Sequence, residues 1–234
     1  MKSLIDNARS FAATHVADPR NAEAFRALGA GQSPEALFIT CSDSRVVPAL
    51  ITGARPGELF ELRTAGNVVP PYPADRGPLP PQGEAATIEY AVCVLGVRDI
   101  VVCGHSHCGA VGALVRGEDL SGVPAVRNWL EHSVAPDAAV RSVAPATPDV
   151  AEAVQAHVLA QVARLRAYPC VQERIANGTL TLHAWYYEVH TGAVTTHRAT
   201  SPTSSEVEAE AQTEAAREAE ALQGAGVRPA FGPL

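Results

Sequence analysis

Two short apolar runs, each ending in side chains that bind metals or handle protons, constrain this chain more than any other feature. The first, Ala36–Ile39, leads through Thr40 into Cys41, Ser42, Asp43, Ser44 and Arg45. It is too short for a helix and has no polar alternation, so it reads as a strand buried on both faces. The second, Asp99–Gly104, empties in the same way into His105, Ser106, His107, Cys108 and Gly109. In an open α/β sheet, sites form outside the carboxyl ends of neighbouring parallel strands. If the two strands are neighbours, Cys41, Asp43, His105 and Cys108 arrive at one place.

Two thiolates and an imidazole, with a carboxylate or water left for the fourth position, suit zinc. A tetrahedral Cys2His site with one exchangeable vertex is the catalytic pattern, whereas structural sites are closed by four protein ligands. The two-residue gap between His105 and Cys108 lets one turn present both side chains to one ion. Cys41 comes from far away in sequence, which argues against a zinc finger, whose ligands arrive in two local pairs. Asp43 and Arg45 stand two residues apart beside a ligand, a spacing that suits a carboxylate oriented by a fixed cation. His107 lies between two ligands, but on a tight turn its ring projects away from theirs, so it is read as a neighbour of the site or an exposed side chain.

The rest of the chain supports an α/β fold with a mostly parallel central sheet flanked by helices. Apolar residues at helical spacing (Leu4, Ala8, Phe11, Ala12) and a second helix capped by Asn21 and running to Leu28 form an amino-terminal helical arm over residues 1–31. Pro48–Ile51 reads as a short helix and Glu58–Arg63 as a strand. Gly66–Gly83 contains six prolines and reads as a functional loop. A crossover helix over Glu84–Leu95 leads into the Asp99 strand as a βαβ unit. Helices follow at Gly109–Val115, Pro124–His132, Asp149–Ala167, with Val154, Val158, Val162 and Leu165 on one stripe, and from Pro169 towards Asn177. Thr179–Val189 alternates and is rich in aromatic and β-branched residues; after Thr191 and Gly192 a last strand, Ala193–Ala199, closes one edge as an antiparallel hairpin. From residue 201 to 234 the composition turns Ala/Glu-rich and acidic, and this segment is expected to be a tail with no catalytic role. Residues 1–200 are thus expected to form a single domain.

Composition removes several classes of function. A net charge of −7 disfavours a nucleic-acid partner, and no run of about 18 apolar residues offers a membrane span. Asp6 interrupts the start before an apolar signal region can form, so a cytoplasmic protein is expected. The five cysteines are an odd number; Cys93, Cys103 and Cys170 fall in apolar segments and read as free core thiols in a reducing compartment.

The pattern Cys41-Ser42-Asp43-Ser44-Arg45 followed by His105-x-x-Cys108 resembles the signature of the β-class carbonic anhydrases. Arg63-Thr64-Ala65-Gly66-Asn67 and Glu89-Tyr90 are similar to residues that family carries at corresponding places. The similarity covers about residues 1–200. Gly31-Gln32-Ser33-Pro34, Pro56-Gly57-Glu58 and Pro70-Pro71-Tyr72 resemble the plant-type branch. The resemblance implies a zinc ion held by Cys41, His105 and Cys108, and reversible hydration of CO2 to bicarbonate and a proton by a zinc-bound hydroxide. Asp43, fixed by Arg45, would accept the hydroxide's hydrogen bond and would become a fourth ligand only in a closed form. Gln32 would donate to a substrate oxygen, and Phe60, Ala65, Tyr90 and Gly109 would wall a small pocket, roomier at Ala65 than in many plant-type relatives.

The resemblance also implies a homodimer unit, alone or built into a tetramer or larger assembly, with the arm packed on a partner. Gln32 precedes the Cys41 strand while Cys41 ends it, so Gln32 is expected to serve the zinc of another subunit. Relatives that bind inhibitory bicarbonate carry Trp and Gly where this chain has Phe38 and Thr40, although Tyr187 matches their tyrosine; an open site is therefore favoured. The same residues leave room for a carbonyl sulfide or carbon disulfide hydrolase on the same scaffold and for a regulatory module with a closed, inert zinc site. A redox thiol protein is disfavoured because no Cys-x-x-Cys is present.

Overall fold

Strand β1, Ala36–Cys41, is an interior strand of the sheet: Leu37, Phe38, Ile39 and Thr40 are wholly buried. The computed structural model describes residues 1–72, 82–133 and 147–198. Within these, β1 pairs in parallel with β2, Leu59–Thr64, on one side and with β3, Asp99–His105, on the other. Strand β4, Thr181–Tyr187, pairs in parallel with β3, and β5, Val194–Arg198, closes the edge antiparallel to β4. The sheet order is β2-β1-β3-β4-β5. The expected mostly parallel sheet with an antiparallel edge hairpin is therefore what the chain forms. Apolar runs without alternation become central strands because helices and loops cover both of their faces.

The helices follow the sequence pattern closely. α1 spans Lys2–Phe11 and continues through a π-helical turn to Val16; α2 is Ala22–Leu28 and α3 is Pro48–Thr52. α4, Gly83–Glu89, likewise continues through a π-helical turn, Tyr90–Val94, and carries the chain from β2 across to β3, on the far side of β1. α5 is Gly109–Val115, α6 Pro124–Ser133, α7 Ala151–Leu165 and α8 Pro169–Ala176.

α7 lies across β3 and β4, and its stripe of Val154, Val158, Val162 and Leu165 joins Leu37, Ile39, Ile100, Val102, Leu182 and Ala184 in the main core. Each such side chain, once buried, contributes about 1.5–3 kcal/mol. Gly104 sets how closely helix and strand approach. A Cβ there would stand 2.6 Å from methyl carbons of both Val154 and Val158. The opposite sheet face holds Phe38, Val101 and Cys103, with Trp185 packed edge-on to Phe38 at 5.8 Å between ring centroids.

No residue of α1 or α2 is buried, and Leu4, Ile5 and Phe11 are largely exposed. The two helices hold each other instead, through a cluster of Phe11, His15 and Phe25 rings 5.1–5.9 Å apart. Asn21 does not cap α2; its amide donates to the His15 carbonyl at 3.0 Å and ties the turn back to the first helix. Cys103 is buried and Cys170 half-buried, but Cys93 is exposed, because the turn Tyr90–Val94 buries Ala91 and Val92 and leaves Cys93 and Val94 outside. The middle of the Pro-rich loop (residues 73–81), the Ala/Pro-rich stretch at 134–146 and the acidic tail over 201–234 lie outside the described residues. No helix among the described residues is long and apolar enough to cross a membrane.

Candidate metal centre

β1 ends at Cys41 and β3 at His105, and because the two strands are parallel neighbours with Thr40 opposite Cys103, both ends point to one edge of the sheet. Cys108 follows on the same turn as His105, at the N-cap position of α5. The ligating atoms of Cys41, His105 and Cys108 lie within 4.8 Å of one another, and all three residues are buried. His105 is wholly buried; its Nδ1 stands 2.9 Å from the Ser106 carbonyl and therefore donates to it. That bond fixes the tautomer and leaves a lone pair on Nε2, as in metal-bound histidines generally. Nε2 is buried without a hydrogen-bond partner. A buried, unpaired nitrogen facing two thiols has one efficient use, which is to share its lone pair with a cation. The donor set Cys2His fits zinc in particular.

The thiols are electrostatically coupled. Cys41 is held well below the usual thiol range, chiefly by its bond with Cys108, with the Gly66 N–H adding to it against the opposing effect of burial. Cys108 is pushed far above that range by the same bond and by its burial, while the Val111 and Ala110 N–H groups at the start of α5 pull the other way. The Gly66 N–H donates directly to Cys41 Sγ at 3.4 Å. Gly66 has φ +82°, a conformation that favours glycine, and an added Cβ would lie 3.2 Å from that of Ala110.

Asp43 and Arg45 form the expected pair. Arg45 Nε and Nη2 grip the two carboxylate oxygens at 2.9 and 2.6 Å, and the Arg45 backbone N–H adds a third bond at 2.9 Å. Arg45 Nη2 also reaches the His107 carbonyl at 3.2 Å, which ties the β1 and β3 loops together. Arg45 holds the Asp43 carboxyl far below the usual carboxylate range, so Asp43 is ionised in any neutral solution. Its Oδ2 stands 3.8 Å from His105 Nε2, alongside the ligand cluster. His107 has φ +57° and stands outside the ligand group.

Arg63, quoted in the sequence without a role, organises this loop. Its guanidinium donates to the carbonyls of Cys41, Asp43 and Val46 at 2.8–2.9 Å. A cation near the end of a short strand was the available signal, but three carbonyls converging on it exist only once the loop is folded. Trp129 was also missed; its indole N–H donates to the Ala65 carbonyl at 2.9 Å from α6.

The remaining predicted residues divide into two groups. Ala65 and Gly109 belong to this edge, Ala65 one residue past β2 and Gly109 directly after Cys108. Gln32, Phe60 and Tyr90 do not. Phe60 pairs with Leu37, four residues before Cys41 on β1, and the Tyr90 ring packs tilted against Phe60 at 5.9 Å between ring centroids. Gln32 is exposed and precedes β1 altogether. With about 3.3 Å of rise per residue, Gln32 and Phe60 stand at the opposite end of the sheet from Cys41.

The sequence matches the carbonic anhydrase family over residues 36–194. It is 46% identical to a carbonic anhydrase of Pseudomonas aeruginosa over 200 residues, which cover 83% of this chain and 86% of that one. Among solved structures it resembles the β-carbonic anhydrase CcaA, with a TM-score of 0.74 and 37% identity over 84% of this chain and 94% of that one. It also resembles a chain from two tetrameric β-carbonic anhydrases of Sordaria macrospora, with a TM-score of 0.68 and 29% identity over 83% and 95% of the respective chains.

Proposed function

The chain belongs to the β-class carbonic anhydrases, and on that premise we propose how its residues hydrate CO2 reversibly to bicarbonate and a proton. The observation that carries the reading is the buried Cys41–His105–Cys108 group with the ionised, Arg45-gripped carboxylate of Asp43 beside it. Zinc bound there supplies a water acidic enough to lose a proton near neutral pH, and so a nucleophile for CO2. Cys41, His105 and Cys108 would hold the ion. Asp43 is an acceptor that stays ionised at neutral pH and is oriented by Arg45, so it would take a hydrogen bond from the nucleophile and aim its lone pair at carbon. Arg63 keeps Cys41 and Asp43 in register by binding both carbonyls. To become a fourth ligand, Asp43 would have to leave two side-chain hydrogen bonds from Arg45. Those bonds favour keeping Asp43 outside the ligand group.

Gln32, Phe60 and Tyr90 lie at the wrong end of the sheet to reach their own centre, so they serve the centre of a second copy. The active site is then assembled in a homodimer unit, with Gln32 donating to the substrate oxygen on which charge develops, and larger assemblies are multiples of that unit. The exposed apolar residues of α1 suit packing on a partner. Two thiolate ligands, with Cys93, Cys103 and Cys170 also unbridged, suit a reducing compartment, and we place the protein in the cytoplasm.

Stopped-flow CO2 hydration with zinc quantified on the same sample tests the reading. Activity should track zinc content, and Cys108→Ala should lose both. Full zinc occupancy in Cys108→Ala, or hydration indifferent to zinc removal, would overturn it.

A further inference from the structure

α7 carries two polar side chains on its core-facing stripe. His157 and Gln161 are wholly buried among Val154, Val158, Val162 and Leu165. A polar group in such a place costs about 1–3 kcal/mol unless it is hydrogen-bonded. Both are bonded, and three of their bonds tie them to each other and to one short segment. His157 Nε2 stands 2.7 Å from the Gly66 carbonyl, Gln161 Oε1 accepts from the Val69 N–H at 2.8 Å, and Gln161 Nε2 stands 3.3 Å from His157 Nδ1. The order of donors follows from the one that cannot change. The Val69 N–H must donate, so Oε1 faces it and Nε2 faces His157; Nδ1 then accepts, and the imidazole proton lies on Nε2, donated to Gly66.

The segment so held is a tight turn with two successive left-handed residues, Gly66 at φ +82° and Asn67 at φ +47°. It is closed by Thr64, whose carbonyl and hydroxyl oxygens accept from the Asn67 and Val68 N–H groups. On one side of Gly66 its carbonyl is gripped by His157; on the other its N–H points at Cys41 Sγ, 3.4 Å away. A hydrogen bond to a thiolate withdraws charge from the sulfur, so the aim of this N–H governs how strongly Cys41 donates to a bound cation. The geometry points to His157 and Gln161 as positioning residues for the Cys41 thiolate, acting through the Gly66 peptide group. This inference rests on the assignment of Cys41 as a zinc ligand. Loss of either side chain lets the turn relax, weakens the N–H···S bond, and leaves a more basic thiolate and a less acidic metal centre.

The test uses His157→Met and Gln161→Met, which keep bulk but lose the polar contacts, and His157→Gln, whose amide N–H falls near the position of Nε2–H. Three quantities are read: the thiolate-to-cobalt charge-transfer band of the Co2+-substituted protein, zinc affinity by competition with a chromophoric chelator, and the pH profile of CO2 hydration. Both Met variants should move the band to longer wavelength and shift the profile to higher pH; by loosening the turn that holds Cys41 in place they should also lower zinc affinity about 10-fold, and His157→Gln should restore most of each. If the band and profile of both Met variants match the wild type while only the melting temperature falls, the pair is merely structural and the inference is overturned. If His157→Met does not fold, Gln161→Met decides, because it removes one anchor of the turn and the group that orients His157. A wild-type cobalt protein with no thiolate band would instead overturn the ligand assignment itself, a failure distinguishable from an intact band that does not move.

Discussion

Replacing Arg45 by alanine should damage catalysis while leaving the protein folded and zinc-loaded. The substitution removes the contacts from Nε and Nη2 to the two Asp43 oxygens at 2.9 and 2.6 Å and the reach to the His107 carbonyl at 3.2 Å, leaving Asp43 only the backbone N–H of residue 45. One surviving bond allows the carboxylate to swing, so the nucleophile loses its aim. Outer contacts of this kind are worth about 10–100-fold in activity, or about 1.4–2.7 kcal/mol in the barrier. Stability should change far less, because the Arg45 side chain is 46% exposed and an ion pair so open to solvent is worth about 0–1 kcal/mol. Arg45→Lys should fall between, since an ammonium keeps the charge but cannot grip two oxygens at once.

Asp43→Ala should cost at least as much as Arg45→Ala. The double variant should be little worse than Asp43→Ala alone, because Arg45 acts only through Asp43. The pH dependence has a definite sign. Arg45 depresses the folded-state pKa of Asp43, so the pair's stabilisation is present above the unfolded carboxylate value of about 3.9. It is lost as pH falls through the lower folded value, and in Arg45→Ala this pH-dependent contribution should largely disappear. Stopped-flow hydration, metal analysis and acid titration of the fold read these quantities on one set of proteins. Losses that add in the logarithm of the rate would refute a shared role, and zinc lost from Asp43→Ala would mean that Asp43 is a ligand.

Two further outcomes are expected. Gln32→Ala should keep fold and zinc but lower kcat/KM about 100-fold or more; mixing it with Cys41→Ala, given subunit exchange, should recover activity, and a fully active, stable monomer would refute the shared site. Gly104→Ala places a methyl 2.6 Å from two valines of α7, residues whose branched side chains have little rotamer freedom in a helix. The strain of about 2 kcal/mol should lower the melting temperature by about 4–8 °C in calorimetry, and an unchanged value would mean that Gly104 does not set the spacing of α7 and β3.

What the sequence determined by itself is local. Ala36–Ile39 and Asp99–Gly104 could only be buried strands, because they are short, apolar and without alternation. The gaps between His105 and Cys108 and between Asp43 and Arg45 fix relative geometry within a turn or two, whatever surrounds them. Even the separation of Gln32 from Cys41 was legible, since a strand keeps its two ends apart.

The tertiary structure decided the contacts between remote segments. Arg63 meets the carbonyls of Cys41, Asp43 and Val46 only because β2 pairs in parallel with β1 and places Thr64 opposite Cys41. The pattern showed the valine stripe of α7, and His157 and Gln161 lie on that stripe at three-residue offsets from Val154 and Val158. Polar residues at core positions were a signal that could have found them. Their partners, Gly66 and Val69, could not have been named, because they depend on how far α7 approaches β3, and the missing side chain of Gly104 sets that distance. Cys93 is outside and Cys103 inside for a similar reason. Both stand in apolar runs, but which way a side chain faces follows from the rotation of its element on the sheet, and that rotation is fixed by the fit of side-chain volumes across the core rather than by any spacing along the chain.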